Sequence, residues 1–138
     1  NLVLSDDGRV RIIDFGFARK ITTKKESGIV ATTAVYAAPE RLVEEEGLPS
    51  DCYSLGVTMY VLATGCLPYD SGATSFREWY VKKHKPTTPL HRLRSDIPPD
   101  LGVLVDTCLE PKQQNRPTAY AMQEIAEMVR EDYPLNHT

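Results

Sequence analysis

Cysteine is scarce in this sequence. Cys52, Cys66 and Cys108 are odd in number and far apart, and no Cys-x-x-Cys pair occurs. His84, His91 and His137 are scattered, so neither a zinc site nor a disulfide framework is expected. The cysteines read instead as reduced thiols of a cytoplasmic protein. An excess of one charge is also lacking. Sixteen basic and 19 acidic residues leave a net charge of −3, which implies no nucleic acid partner and no attraction to anionic membrane. There is no long hydrophobic run. Residues 55–69 are the most apolar stretch, but Thr58, Thr64, Gly65 and Pro68 interrupt it, so it reads as a buried helix and not a membrane segment. No internal repeat, low-complexity tract or signal peptide is found. The chain opens on Asn1 without an initiator methionine, which reads as a cut and not a natural start.

What is present fits one globular domain or a large piece of one: 138 residues, 41% hydrophobic and 25% charged. Residues 2–4 and 9–13 are β-rich runs on either side of Asp7-Gly8, a strong hairpin signal. Residues 17–37 keep no helical or strand period, and a structureless stretch of that length within a domain is usually functional. Pro39-Glu40-Arg41-Leu42 suits a short helix, and Glu44-Glu45-Glu46 a solvated face. Ser50 or Asp51 can cap the next helix, which runs to about Ala63 and stops at Gly65; it is apolar nearly all round and is expected to be buried on most sides. Residues 75–83 form a shorter amphipathic helix. Residues 85–99, with Pro86, Pro89, Pro98 and Pro99, read as a loop. Leu101, Leu104, Val105, Cys108 and Leu109 have helical spacing up to Pro111. Thr118 caps a last helix with Ala121, Met122, Ile125, Met128 and Val129 on one stripe. A hairpin followed by five or six helices leaves the hairpin no sheet to join.

One strand end poses a chemical question. Ile12-Ile13 deliver the carboxylate of Asp14, then Phe15 and Gly16 follow. Asp and Gly end many strands, so this is either a turn or a ligand on a hinge.

Asp14-Phe15-Gly16 and, about two dozen residues on, Ala38-Pro39-Glu40 resemble the D-F-G and A-P-E pair of protein kinases. Residues 1–16 also resemble the family segment from the catalytic-loop Asn to D-F-G. Residues 50–69 resemble the buried central helix of the kinase large lobe, with Tyr53 where most members carry Trp. Residues 115–119 resemble the site of the Arg that pairs with the A-P-E Glu. The implied fold is mainly α: the kinase large, C-terminal lobe, with one small β-hairpin and five to six helices, an incomplete α+β kinase fold. The implied domain is residues 1–132, a partial kinase domain, with 133–138 a tail. The wording of residues 51–69 and 97–119 looks most like bacterial-type serine/threonine kinases.

The resemblance implies transfer of the γ-phosphate of ATP to Ser or Thr of protein substrates, with ATP and Mg²⁺ as cofactors. Asn1 and Asp14 are the implied metal ligands, since Mg²⁺ takes hard oxygen donors. Asn1, Asp14, Phe15 and Gly16 are the implied cofactor-binding residues, with Gly16 freeing the following segment and Phe15 packing in or out. Thr33 and Tyr36 belong to the implied substrate loop. Thr at position 33, where tyrosine kinases tend to carry Pro, favours serine/threonine specificity; Thr32 departs from the usual Gly. Glu40 and Arg116 are implied to form a buried ion pair, and Asp51 to bond the catalytic-loop backbone. Ser27 and Thr32 are candidate phosphosites. The 138 residues contain no H-R-D general-base Asp, no Gly-rich loop and no small lobe. The polypeptide by itself is therefore expected to be inactive, with the kinase N-lobe as its natural partner. The competing classes are a pseudokinase and a non-enzymatic scaffold or interaction domain.

Overall fold

The computed structural model describes residues 1–13, 34–43, 49–69 and 72–133. The first element is a hairpin of strands β1 (Leu2–Leu4) and β2 (Val10–Ile12), paired antiparallel with Leu2 opposite Ile12 and Leu4 opposite Val10. The turn forms where Asp7-Gly8 predicts it. Gly8 takes φ 74°, and the Arg9 amide donates to the Asp7 carboxylate at 3.1 Å. Leu4, Val10 and Ile12 remain 63–70% exposed, so the hairpin gains its stability from pairing and not from burial.

Among the described residues the other regular elements are helical: α1 (Pro49–Thr64), α2 (Phe76–Lys83), α3 (Leu90–Leu93), α4 (Pro99–Cys108) and α5 (Ala119–Asp132), with 3-10 turns over Pro39–Val43 and Gln113–Asn115. The core lies between α1 and α4. Tyr53, Val57 and Tyr60 of α1 meet Val105 of α4, together with Ala38, Leu90 and Leu109. The two helices cross closely at Gly56, where an added Cβ would come within 2.5 Å of the Cys108 Cβ. A second cluster, Cys52, Leu104, Cys108 and Met122, docks α5 on the other side of α4. Ser75 caps α2 by accepting from the Glu78 amide, and Thr118 caps α5 by accepting from the Ala121 amide.

Some expectations need correction. Neither Ser50 nor Asp51 precedes α1, because the helix already starts at Pro49; the Ser50 hydroxyl turns inward and Asp51 is exposed. Helix α1 is buried on most sides, as expected, and open on one. Leu55 is 39% and Leu62 80% exposed, one side of a helix whose apolar composition carries no period to distinguish its faces. The proline-rich loop contains α3, because Leu90 fills the core and its amide is held by the Asp106 carboxylate at 3.0 Å. Met128 is 57% exposed, since six residues place it roughly 120° around α5 from Met122. Pro99 opens α4 instead of belonging to the loop.

Candidate functional site

The end of the hairpin that carries Asn1 is built by strand pairing. The Ile13 amide donates to the Asn1 carbonyl at 2.8 Å, so Asn1 lies beside the residue that precedes Asp14. Asn1 is exposed, and its side-chain carbonyl is a hard oxygen donor of the kind Mg²⁺ accepts. Asp14, Phe15, Gly16, Ser27, Thr32 and Thr33 lie outside the described residues. An amide carbonyl at Asn1 and, in the sequence, a carboxylate at position 14 are both hard oxygen donors, the type Mg²⁺ takes.

The segment 34–43 is fixed at two points. The first is Glu40, which is 6% exposed. Arg116 grips it with a two-pronged contact, Nη1 to Oε1 at 2.7 Å and Nη2 to Oε2 at 2.9 Å. The Ser50 hydroxyl adds a 2.6 Å bond to Oε1. The remaining guanidinium hydrogens go to main-chain carbonyls: Nε to Glu110 at 2.6 Å, Nη1 to Pro49 at 3.2 Å and Nη2 to Pro111 at 2.8 Å. All five N–H donors of the arginine are thus used, as burial of a permanent charge demands. Burial raises the Glu40 pKa, but the hydrogen bonds from Arg116 and Ser50 outweigh it and hold the carboxyl below its ordinary value.

The second point is Val35. Its carbonyl accepts from the Lys83 ammonium at 2.7 Å and from the Tyr69 hydroxyl, while Lys83 Nζ also donates to Tyr69 Oη at 2.6 Å. Lys83 is only 1% exposed. Its Nζ sits 4.2 Å from the Tyr69 ring centre, 5.3 Å from Tyr53 and 5.5 Å from Trp79. The Tyr53 ring also receives the Arg116 guanidinium at 4.7 Å, so both anchoring cations converge on one aromatic side chain. Sequence reasoning missed Lys83. The signal that could have found it is the i,i+4 spacing of Trp79 and Lys83, which puts both on the face α2 turns toward the 3-10 turn at Pro39–Val43.

The geometry therefore brings Glu40 together with Arg116, and presents Tyr36 on the same segment at 40% exposure. Asp51 stands exposed in the first turn of α1. Among the described residues no group of three or more His, Cys, Asp and Glu side chains could hold a metal, and no helix is long and apolar enough to cross a membrane.

Residues 1–133 match the protein kinase domain family, and the chain belongs to that family. It is 37% identical over 111 residues to serine/threonine-protein kinase A of Synechocystis, covering 78% of this chain and 21% of the relative. It is 33% identical over 113 residues to serine/threonine-protein kinase PknA of Mycobacterium tuberculosis, covering 79% of this chain and 25% of the relative. It is 41% identical over 75 residues to CBL-interacting serine/threonine-protein kinase 17 of Arabidopsis thaliana, covering 51% of this chain and 17% of the relative. The chain spans a quarter or less of the length of the curated relatives it matches.

Proposed function

We propose that this chain forms the large-lobe part of a serine/threonine protein kinase, in which the γ-phosphate of ATP passes to Ser or Thr hydroxyls of protein substrates. The observation that carries the reading is the buried Glu40–Arg116 pair, which fixes the segment holding Ala38-Pro39-Glu40 to the helical core. An ordinary surface carboxylate has no reason to sit under a guanidinium with every donor used.

In this reading Asn1 and Asp14 hold the magnesium ions of the nucleotide, and Gly16 is the hinge beyond Phe15. When bound there, magnesium would supply neutralisation of the charge developing on the phosphoryl group. The chain's own part is positioning. The hairpin sets Asn1 against Ile13, next to Asp14 in sequence. The anchored segment 34–43 presents Tyr36, with Thr33 just before it, to the substrate peptide. Thr33 is the feature that favours hydroxyl acceptors of Ser and Thr type. The 138 residues contain neither His-Arg-Asp nor Gly-x-Gly-x-x-Gly, so this polypeptide alone does not transfer phosphate.

The test is phosphoryl transfer by the full-length protein with Mg²⁺-ATP and a generic protein substrate. Wild type is expected to turn over, and Asp14→Asn to lose most of the rate, because the clamp on developing charge is weakened. Near-normal turnover of Asp14→Asn would reduce Asp14 to a turn residue. No turnover by the wild type would leave the scaffold reading in its place.

A further inference from the structure

Lys83 is the least exposed of the buried polar and charged side chains among the described residues, at 1%. A buried lysine is rare unless paired with an anion. Among the described residues its ammonium has no carboxylate partner; its partners are the Val35 carbonyl, the Tyr69 hydroxyl and three aromatic rings. That arrangement gives one main-chain carbonyl two donors at once, Lys83 and Tyr69. A carbonyl held in this way cannot rotate without breaking both bonds, and the next residue along is Tyr36, which faces solvent.

We propose that Lys83 is a positioning residue: through the Val35 carbonyl it fixes the backbone that presents Tyr36, and so sets the fit of the substrate peptide. The substrate role rests on the kinase reading above; the grip on Val35 does not. Lysine suits the task better than arginine, because three aromatic walls close around a compact ammonium on an alkyl stem. Burial pushes the Lys83 pKa down to about 7. The groups that face it are Val35 from the segment 34–43, Tyr69 from the stretch after α1, Tyr53 from α1 and Trp79 from its own helix. Beyond Tyr53 lie Arg116 and Glu40, already paired to each other. The charge state of the amine therefore changes the polarisation of the Val35–Tyr36 peptide bond.

Two measurements test this. The first uses the 138-residue chain and NMR, following the Lys83 ¹³Cε resonance and the Tyr36 amide against pH. Both are expected to titrate with one midpoint, far below that of an exposed lysine, and the Tyr36 amide is expected to stay flat in Lys83→Met. Titration of Lys83 near about 10.4, the ordinary value, with an unmoving Tyr36 amide would overturn the proposal. The second uses the full-length protein. Lys83→Met, which keeps the stem and loses the donor, is expected to raise the peptide KM about tenfold while the KM for ATP stays within about twofold. Tyr69→Phe, which keeps the ring and removes the other donor, is expected to shift peptide KM in the same direction by less. An unchanged peptide KM in both variants would refute the positioning role. Co-titration without any phosphoryl transfer by the wild type would support the grip on Val35 and overturn the kinase reading alone.

Discussion

Replacing Arg116 with alanine removes far more than one ion pair. The side chain uses five donors: two on Glu40 and one each on Pro49, Glu110 and Pro111. After truncation the Glu40 carboxylate keeps the Ser50 hydroxyl as its side-chain donor while staying buried. Breaking one partner of a buried pair costs about 3–5 kcal/mol, most of it the penalty of an uncompensated charge. For a chain of this size that is on the order of 10–15 °C in melting temperature. Arg130, exposed on α5, serves as control, and its loss is expected to stay within about 0.5 kcal/mol. The assay is thermal and urea unfolding of the chain followed by circular dichroism. Acid supplies a second readout. The Glu40 pKa is depressed in the fold, so its contribution is present above the unfolded value of about 4.3 and is lost as pH falls through the lower folded value. The gap between wild type and Arg116→Ala should therefore narrow below that pH. A paired replacement, Glu40→Leu with Arg116→Met, should be less destabilised than either single change, since no charge is left unpaired. Equal, small shifts for Arg116→Ala and Arg130→Ala would refute the reasoning.

Lys83 adds a pH dependence of the same sign as that of Glu40, in a higher pH window. Its folded pKa of about 7 lies below the unfolded one, so the unfolded chain binds more protons above that pH and stability rises with pH. The gain between about pH 7 and 9 should be about 2 kcal/mol and vanish in Lys83→Met. At higher pH the trend reverses, because burial raises the thiol of Cys108 to about 12 and raises the phenols of Tyr53 and Tyr69; unfolding scans from neutral to alkaline pH check both limbs. Gly56→Ala should lower stability by about 1–3 kcal/mol, since the new methyl meets the Cys108 Cβ at 2.5 Å, with the Cys108 main chain 3.5 Å away; a neutral melting curve would show that α1 and α4 can separate freely. Full-length protein incubated with ATP should carry phosphate on Ser27 or Thr32 by mass spectrometry, and full activity of unmodified Ser27→Ala and Thr32→Ala variants would reduce that loop to a substrate platform.

Local chemistry was legible wherever a single residue type dictates a backbone state. Asp7-Gly8 announced its turn, Thr118 its cap, and Gly65, at φ 72°, the end of α1. The resemblance to protein kinases implied the pairing of Glu40 with Arg116, although 76 residues separate them. Faces were less legible. Helix α1 has apolar residues all round, so only the packing partner decides that Tyr53 and Val57 are covered while Leu62 is not. Lys82 and Lys83 are the same residue type side by side; which one turns inward depends on Tyr53 and Tyr69, residues that reach Lys83 only through the fold. The same holds for α3, since the reason for a helix at Leu90 is a carboxylate on α4.

The span of 76 residues between Glu40 and Arg116 also bears on the order of folding. Closing a loop of that length in an unfolded chain costs about 4 kcal/mol, more than the ~0–1 kcal/mol that a solvated ion pair returns. The pair therefore cannot nucleate anything. It closes only after α1 and α4 have met and excluded water, when the remaining distance is already short. Its energy then appears almost wholly on the unfolding side of the barrier: Arg116→Ala should leave the refolding rate nearly unchanged and accelerate unfolding. The segment bearing Tyr36 is on this account the last part of the molecule to be seated and the first to come away.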